Sequence, residues 1–120
     1  TGLLNLDPFK SEYNKALEEY KGKSMMCLVY FDLNNFGYIN ENYGYQIGDK
    51  VLKYLAHDIK ETDGAIIACR LYSDFFILLV RGKSKETIKE SVLSRQKHFV
   101  NLHNHQYPSC GIGITSGRCN

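Results

Sequence analysis

The sequence lacks any strong excess of charge of one sign. Its 15 basic and 13 acidic residues give a formal net charge of +2 and are scattered along all 120 residues. No basic stripe is present to indicate binding to nucleic acid or to an anionic membrane surface. Internal repeats and low-complexity segments are also absent, and 43% of the residues are hydrophobic. This composition excludes a disordered tail and predicts one domain with a single core.

Long hydrophobic runs are missing as well. No apolar stretch approaches the about 20 residues that span a bilayer, and the N-terminal segment does not resemble a signal peptide. The sequence therefore predicts no membrane contact for this segment. Because the chain starts at Thr1 without a methionine, we expect residues 1–120 to be a single domain cut from a larger multidomain protein. We expect it to be cytoplasmic, in a protein whose anchor or sensor lies elsewhere.

The four cysteines occur without a CxxC or Cys/His spacing. A chain this short with four cysteines can be a disulfide scaffold, which is the alternative here. Cys27 and Cys69, however, lie inside long apolar runs. Such positions favour buried, reduced thiols in a cytosolic domain.

The hydrophobic pattern predicts an alternation of helices and strands. Apolar residues at three- and four-residue steps predict helices over 7–20, 49–61 and 83–102, and a stretch rich in asparagine and glycine holds a short helix at 36–42. Apolar runs of strand length occupy 25–31, 65–71, 75–80 and 109–115. The continuous run at 25–31 is typical of a strand covered on both faces.

The predicted order is helix, strand, two helices, hairpin, helix, strand. Only three residues separate the strands at 65–71 and 75–80, so we expect them to pair as a tight antiparallel hairpin. This order predicts an α+β domain with an antiparallel or mixed central sheet and helices on its faces, of the ferredoxin-like or polymerase-palm type. A Rossmann fold is disfavoured, since no βαβαβ run occurs.

Two carboxylates are the main candidates for chemistry. Asp32 ends a predicted strand and Asp74 lies at the tip of the predicted hairpin. If the two elements are neighbours in one sheet, their oxygens meet at one edge, where they could hold Mg²⁺ together with substrate phosphates. The alternative is that Asp32 caps the following helix and Asp74 is a solvated turn residue.

The same stretch also resembles part of an EF-hand calcium loop. Asp32, Asn34 and Gly37 satisfy part of its pattern, but Phe36 and Tyr43 occupy positions that need oxygen ligands. A strand-like run also precedes the loop, where an EF-hand needs a helix. The calcium alternative is therefore disfavoured.

Four short segments spread over nearly the whole chain form a more specific pattern. They read TGLLN at 1–5, YFDLNNFGYINENYGYQIGD at 30–49, RLYSDFF at 70–76 and SCGIGI at 109–114. In the same order, these are similar to TGLxNR, DxDxFKxINDxxGHxxGD, RYGGDEF and SxGIA, the motifs of the GGDEF domain of diguanylate cyclases. The resemblance implies a nucleotidyl cyclase palm-like fold of order βααββαβ.

The resemblance also implies a ligand set. In that family two GGDEF domains meet as a homodimer, each binds one GTP with Mg²⁺, and the nucleotides condense to cyclic di-GMP. By position, the metal ligands would be Asp32, the backbone carbonyl of Leu33 and Asp74. Asn40 and Asp49 would hold the guanine edge. Backbone amides around Phe36 and Gly37 would face the phosphates. For Asn40 and Asp49, a role as helix caps is the open alternative.

The chain departs from the family at the hairpin that gives the family its name. Residues 72–76 read YSDFF, so both turn glycines and the acidic fourth residue are missing. Glycine lets the backbone turn tightly and a nucleotide approach, whereas Tyr72 adds a phenol there. Phe75 replaces a carboxylate that helps to activate the attacking hydroxyl in the family, and a phenyl ring can neither accept that proton nor ligate a cation. We therefore predict no catalytic residue.

Two further departures concern nucleotide contacts. Gly37 stands where the family has a lysine near the triphosphate, and Asn34 replaces its second aspartate. The RxxD motif for product inhibition would fall at 63–66, which read DGAI. Feedback binding of cyclic di-GMP at that position is not expected.

The sequence thus predicts a degenerate GGDEF domain of bacterial cyclic di-GMP signalling. We expect it to be inactive and to act as a regulatory, GTP-binding or dimerisation module, with a homodimer or other signalling domains as partners. The alternatives are an active diguanylate cyclase and a protein-interaction domain without nucleotide.

Some histidines and tyrosines are further candidates for a functional role. The HNH triplet at 103–105 is predicted to be solvated at the end of a helix, and His57 is expected to face solvent or a dimer partner. Tyr38, Tyr43 and Tyr45 are close in sequence, and they indicate either an interaction surface or core packing.

Overall fold

The computed structural model describes residues 6–72, 75–106 and 113–119. The elements follow the predicted order, and they are α1 (Leu6–Tyr20), β1 (Met25–Asn34), α2 (Phe36–Tyr43), α3 (Tyr45–Lys60), β2 (Ala65–Tyr72), β3 (Phe75–Gly82), α4 (Lys85–Gln106) and β4 (Gly113–Cys119). Within these ranges, no helix combines the length and the apolar character that crossing a bilayer requires.

The strands form one four-stranded sheet in the order β2-β3-β1-β4. Each described pair of neighbours is antiparallel, and the hairpin of β2 and β3 is confirmed. β1 lies between β3 and β4, so its C-terminal end is flanked by a strand on both sides. This arrangement confirms the predicted α+β class with a central antiparallel sheet.

Alternating burial shows which face of the sheet meets the core. In β1 the side chains of Cys27, Val29, Phe31 and Leu33 are buried, and the intervening residues are only half-buried. The buried set shares a cluster with apolar residues of α3 and α4. The prediction of a strand covered on both faces holds only in part, because one face of β1 is buried and the other, which carries the polar Asp32 and Asn34, is half-buried.

The opposite face of the sheet is partly covered by α1, which packs against β2. Cys69 and Leu79, at 0% and 1% exposure, lie on this second face. At the end of α1, the guanidinium of Arg81 lies 4.6 Å from the ring centroid of Tyr20. The sheet is thus enclosed by α3 and α4 on one face and by α1 on part of the other.

Two helices begin more than one residue away from the predicted start. α3 begins at Tyr45, four residues earlier than expected, because Gly48 is buried inside the helix and does not break it. α4 begins at Lys85, where the Ser84 hydroxyl accepts the N–H of Thr87 at 3.2 Å and caps the first turn. The described part of the last strand, Gly113–Cys119, extends four residues beyond the predicted end at residue 115. Residues 109–112 of its predicted span lie outside the described residues.

Cys27 and Cys69 are buried free thiols, as predicted. Burial raises the pKa of the Cys69 thiol. This thiol is therefore neutral and belongs to the apolar packing on the second face.

His103 contradicts the prediction of a solvated helix end. It lies inside α4 and is 1% exposed. Its Nδ1 is 2.9 Å from the carbonyl oxygen of Phe99, its ring stacks on the Phe99 ring at 4.1 Å, and the Tyr54 ring meets it edge-on at 5.5 Å. The sequence HNH gave no indication of this burial, because the apolar partners come from α3 and from one turn earlier in α4. His57 is exposed, as expected.

Burial of His103 makes the stability of the domain depend on pH. Desolvation lowers the pKa of this imidazole, although the Phe99 carbonyl and Asp58 act in the opposite direction and His98 adds to the lowering. As the pH falls below the ordinary histidine pKa of about 6.5, His103 binds a proton in the unfolded chain but stays neutral in the folded domain. We expect the free energy of unfolding, measured in urea between about pH 7.5 and 5.5, to fall by up to about 1.4 kcal/mol per pH unit from this group.

The control is the exposed His57. His103→Gln should flatten this part of the pH profile, and His57→Gln should leave it as in the wild type. An unchanged slope in His103→Gln would refute the assignment.

Candidate functional site

The central strand positions Asp32 at the less covered face of the sheet. Asp32 lies within β1 and is half-buried, and the next helix has Asn35 as its N-terminal cap residue. The alternative in which Asp32 caps that helix is therefore wrong. Asp32 is a strand residue whose backbone is paired on both sides, with Phe75 in β3 and Thr115 in β4.

A single residue turns the chain from β1 into α2. Asn35 adopts the left-handed conformation, with φ 62° and ψ 24°, which asparagine tolerates better than most residues. Its carbonyl accepts the N–H of Tyr38 at 3.1 Å. The turn brings the first N–H groups of α2, those of Phe36 and Gly37, next to the end of β1. These groups have no partner within the helix.

The turn borders an open cleft of about 550 Å³. Residues 32–38 and Glu41 line it. Among these residues are two carboxylates, Asp32 and Glu41, and no cation, since glycine occupies position 37. A triphosphate entering this cleft would meet negative side chains beside the first N–H groups of α2. It would need a divalent cation to offset the repulsion.

The described residues fit a cation that is shared with a ligand rather than held by protein alone. The described ranges contain no group of three or more His, Cys, Asp or Glu side chains that could hold a metal ion. Asp32 and the carbonyl of Leu33 supply two oxygens at the cleft. Mg²⁺ often binds one or two carboxylates and takes its other ligands from substrate phosphates and water. The EF-hand alternative is wrong, because a strand and not a helix precedes the loop.

Asn40 and Asp49 are brought close to each other through Gly48. Asn40 lies within α2 and Asp49 within α3, so neither caps a helix and that alternative is wrong. A Cβ placed on Gly48 would overlap the side-chain oxygen of Asn40 and lie 3.3 Å from Cζ of Phe36. The absence of a side chain at Gly48 therefore allows Asn40 to pack against α3, one residue before the exposed Asp49.

Phe75 occupies the position opposite Asp32. The two residues are Cα partners across β1 and β3, which places both side chains on the same face of the sheet. The ring of Phe75 is half-buried and stacks on the ring of Tyr30, with centroids 5.6 Å apart and planes inclined by 21°. The neighbouring Phe76 points into the core at 0% exposure. An apolar aromatic pair therefore stands beside the carboxylate of Asp32.

The structure does not extend to every predicted site residue. Ser73 and Asp74 lie outside the described residues, and of Tyr72 only the backbone is described. The role of Asp74 as a second metal ligand, and its alternative as a solvated turn residue, stay predictions.

Tyr30 was missed by sequence reasoning. Its spacing of two residues from Asp32 shows that it shares that face, but its stacking partner depends on the register with β3.

The tyrosines around the junction of α2 and α3 are surface residues. Tyr38 is 55% exposed, Tyr45 78% and Tyr43 36%. The core-packing alternative is wrong for this group. Tyr38 also lines the cleft at Asp32, so one member of the group lies at the candidate site.

The fold and the candidate site together define a class of protein. An antiparallel sheet carries a carboxylate near the end of its central strand, and a tight turn beside it leads into a helix. This is a palm-like α+β arrangement. Residues 1–119 match the family model for the diguanylate cyclase GGDEF domain. The chain belongs to this family.

Curated relatives agree with the family. The chain is 30% identical over 103 residues to the diguanylate cyclase DgcN of Escherichia coli, and the match covers 85% of the chain and 25% of the relative. It is 28% identical over 120 residues to the diguanylate cyclase DgcS of Shewanella oneidensis, covering 94% of the chain and 39% of the relative. The chain thus spans less than half the length of these relatives.

Solved structures show the same fold. The GGDEF domain of DgcB from Caulobacter crescentus, in complex with c-di-GMP, superposes with a TM-score of 0.77 at 22% identity, covering 98% of this chain and 72% of that one. The active GGEEF domain of a diguanylate cyclase from Vibrio cholerae gives a TM-score of 0.76 at 21% identity, covering 97% and 75%. The predicted palm-like fold is confirmed.

The contact between Gly48 and Asn40 can be tested by substitution. In Gly48→Ala, the added methyl group must displace the Asn40 side chain or the Phe36 ring. We expect this overpacking to lower the free energy of unfolding by about 1–3 kcal/mol in urea denaturation.

Gly37→Ala is the matched control, because nothing lies within 4 Å of a Cβ at Gly37. We expect it to leave stability unchanged or to raise it by up to about 1 kcal/mol, as alanine favours the helix. Equal effects of the two substitutions would contradict the packing described for Asn40.

Proposed function

We propose that this domain is a catalytically inactive GGDEF domain that binds a guanine nucleotide and serves as a regulatory or dimerisation module in cyclic di-GMP signalling. The observation that carries the proposal is the position of Phe75, directly across the sheet from Asp32 and stacked on Tyr30. The family resemblance requires a carboxylate there. The chain instead presents an apolar ring next to the carboxylate that remains.

The loss at position 75 concerns proton transfer and charge. A positioned acid or base contributes roughly a hundred- to ten-thousand-fold to rate, and phenylalanine offers neither. The carboxylate expected there would also add negative charge near a bound cation. With Phe75 in place, Asp32 is the one carboxylate that the described residues place on this face of the sheet beside the hairpin.

Nucleotide binding is supported by groups that remain in place. Asp32 and the Leu33 carbonyl are available to a cation, and the N–H groups of Phe36 and Gly37 lie at the cleft. Such a cation would supply charge neutralisation for the phosphates. Asn40 is held against α3 by the absence of a Cβ at Gly48. Its amide offers both a donor and an acceptor, and Asp49 accepts from two N–H groups, as a guanine edge requires. Asp74 is proposed as the second metal ligand on the resemblance alone.

A protein-interaction domain without nucleotide is the second candidate. The exposed Tyr38 and Tyr45 favour it, since large aromatic side chains are enriched at protein interfaces. Under this candidate the wild-type domain would bind no GTP, with or without Mg²⁺. A homodimer or another signalling domain would then be its partner.

Activity is tested by restoring the missing groups. We expect the wild-type domain to form no cyclic di-GMP from GTP and Mg²⁺ by chromatography. Phe75→Glu combined with Tyr72→Gly and Ser73→Gly returns the turn glycines and the carboxylate. If the domain is an enzyme, this variant should change the rate of the wild type; if the domain is inactive, the wild type has no rate to change. Measurable product from the wild-type protein would overturn the inactive assignment and establish the active-cyclase alternative.

Nucleotide binding is tested by calorimetry with GTP and Mg²⁺. Asp32→Asn keeps the shape of the side chain and removes its charge, so we expect the affinity to fall by at least about tenfold. Asp63→Asn, an exposed aspartate outside the cleft, is the matched control and should bind as the wild type does. Absence of heat with the wild-type protein would favour the interaction domain without nucleotide.

A further inference from the structure

The cleft beside Asp32 carries a negative charge on its side chains. Residues 32–38 and Glu41 line it, and the carboxylates of Asp32 and Glu41 are the charged side chains among them. No lysine, arginine or histidine is among the described residues of its wall, and neither Lys50 of α3 nor Arg70 of β2 belongs to it. Each phosphate of a ligand therefore brings its charge to a surface that already repels anions.

The turn into α2 offers few main-chain donors to a ligand. Asn35 is the N-terminal cap residue, so the N–H groups of Phe36 and Gly37 are the first of the helix and have no acceptor within it. The next N–H group, that of Tyr38, donates to the Asn35 carbonyl at 3.1 Å. Two adjacent donors can hold one phosphate group. The partial charge at a helix N-terminus, about half an elementary charge, offsets only part of the charge of that group.

The oxygens at the cleft provide for one divalent cation. Asp32 and the carbonyl of Leu33 line it, and a Mg²⁺ ion shared between them and a ligand can neutralise one further phosphate group. The described residues thus provide for two phosphate groups, one at the first N–H groups of α2 and one at the cation. A third would meet neutral donors such as the amides of Asn34 and Asn35, which do not offset its charge.

We propose that this cleft is selective for the diphosphate form of the guanine nucleotide, GDP with Mg²⁺, and binds GTP more weakly. Glu41 and Gly37 set the preference, because Glu41 adds a carboxylate to the wall and Gly37 adds no side chain to it. The inference rests on the nucleotide binding proposed above and names the preferred ligand of that same site. A reaction that hydrolyses GTP to GDP would supply this ligand.

The test is a calorimetric titration of the wild-type domain with GMP, GDP and GTP, each with Mg²⁺. Low ionic strength is used, because salt screens the charges of an open cleft. We expect GDP to bind at least about threefold more tightly than GTP, a modest ratio because the surrounding water weakens each repulsion. GMP should also bind more weakly than GDP, since its single phosphate group cannot occupy both the cation and the N–H groups of α2.

Two substitutions change the charge of the cleft wall. Gly37→Lys adds a cation, and nothing lies within 4 Å of a Cβ at this position. We expect it to raise the affinity for GTP more than that for GDP, so that the two differ by less than about twofold or reverse their order. Glu41→Gln removes a charge from an exposed side chain and should shift the ratio in the same direction. The thermal midpoint of Glu41→Gln should match that of the wild type, which shows that the fold is retained.

Ser94→Lys and Glu90→Gln make the same changes of charge at exposed positions of α4 outside the cleft, and they should keep the wild-type ratio. GTP bound as tightly as GDP, or more tightly, would overturn the preference and leave the proposed nucleotide binding in place. A ratio that neither Gly37→Lys nor Glu41→Gln changes would overturn the roles of these two positions. Absence of heat with all three nucleotides would instead contradict nucleotide binding itself, and the preference with it.

Discussion

The pairing of β1 with β3 is the constraint on which the other features depend. Its register sets Phe31 beside Phe76 in the core and Asp32 beside Phe75 on the other face. Because side chains alternate along a strand, a shift by one residue would exchange the buried aromatic pair with the pair that contains the carboxylate. The large apolar residues Phe31 and Phe76, at 3% and 0% exposure, thus fix the position of the candidate site.

The same register explains how the proposed loss of catalysis is compatible with the fold. A carboxylate at position 75 would stand next to Asp32 on a half-buried face, where two like charges destabilise the sheet unless a cation lies between them. Phe75 removes that repulsion and gains a stacked partner in Tyr30. The exchange stabilises the domain without ligand. It also removes the group that an active site would need. Phenylalanine at position 75 therefore favours stability, whereas a carboxylate there would favour activity.

Much of the fold could be predicted from the sequence, because the hairpin, the order of elements and the class follow from local pattern. The candidate site could be predicted from the sequence only in part. The strand pattern supplied Asp32, and the resemblance supplied Asn40 and Asp49. Hydrophobic pattern alone could not reject roles as helix caps for these three residues, which required the observed helix boundaries. The start of α3 was misplaced because Gly48 belongs to the stretch rich in asparagine and glycine, which the pattern assigns to turns, whereas its lack of a side chain accommodates Asn40 within the helix packing. Burial of His103 and the stacking of Phe75 on Tyr30 depend on contacts between distant segments, which periodicity does not encode.

The central claim is that the domain binds a guanine nucleotide at the end of β1 and leaves it intact. The most direct measurement is ³¹P NMR of GTP and Mg²⁺ with the wild-type domain, because one spectrum reports on binding and on turnover. The account predicts that the three phosphate signals shift or broaden on adding protein and keep their intensity over hours. The appearance of pyrophosphate would contradict inactivity, and signals unchanged by the protein would contradict binding.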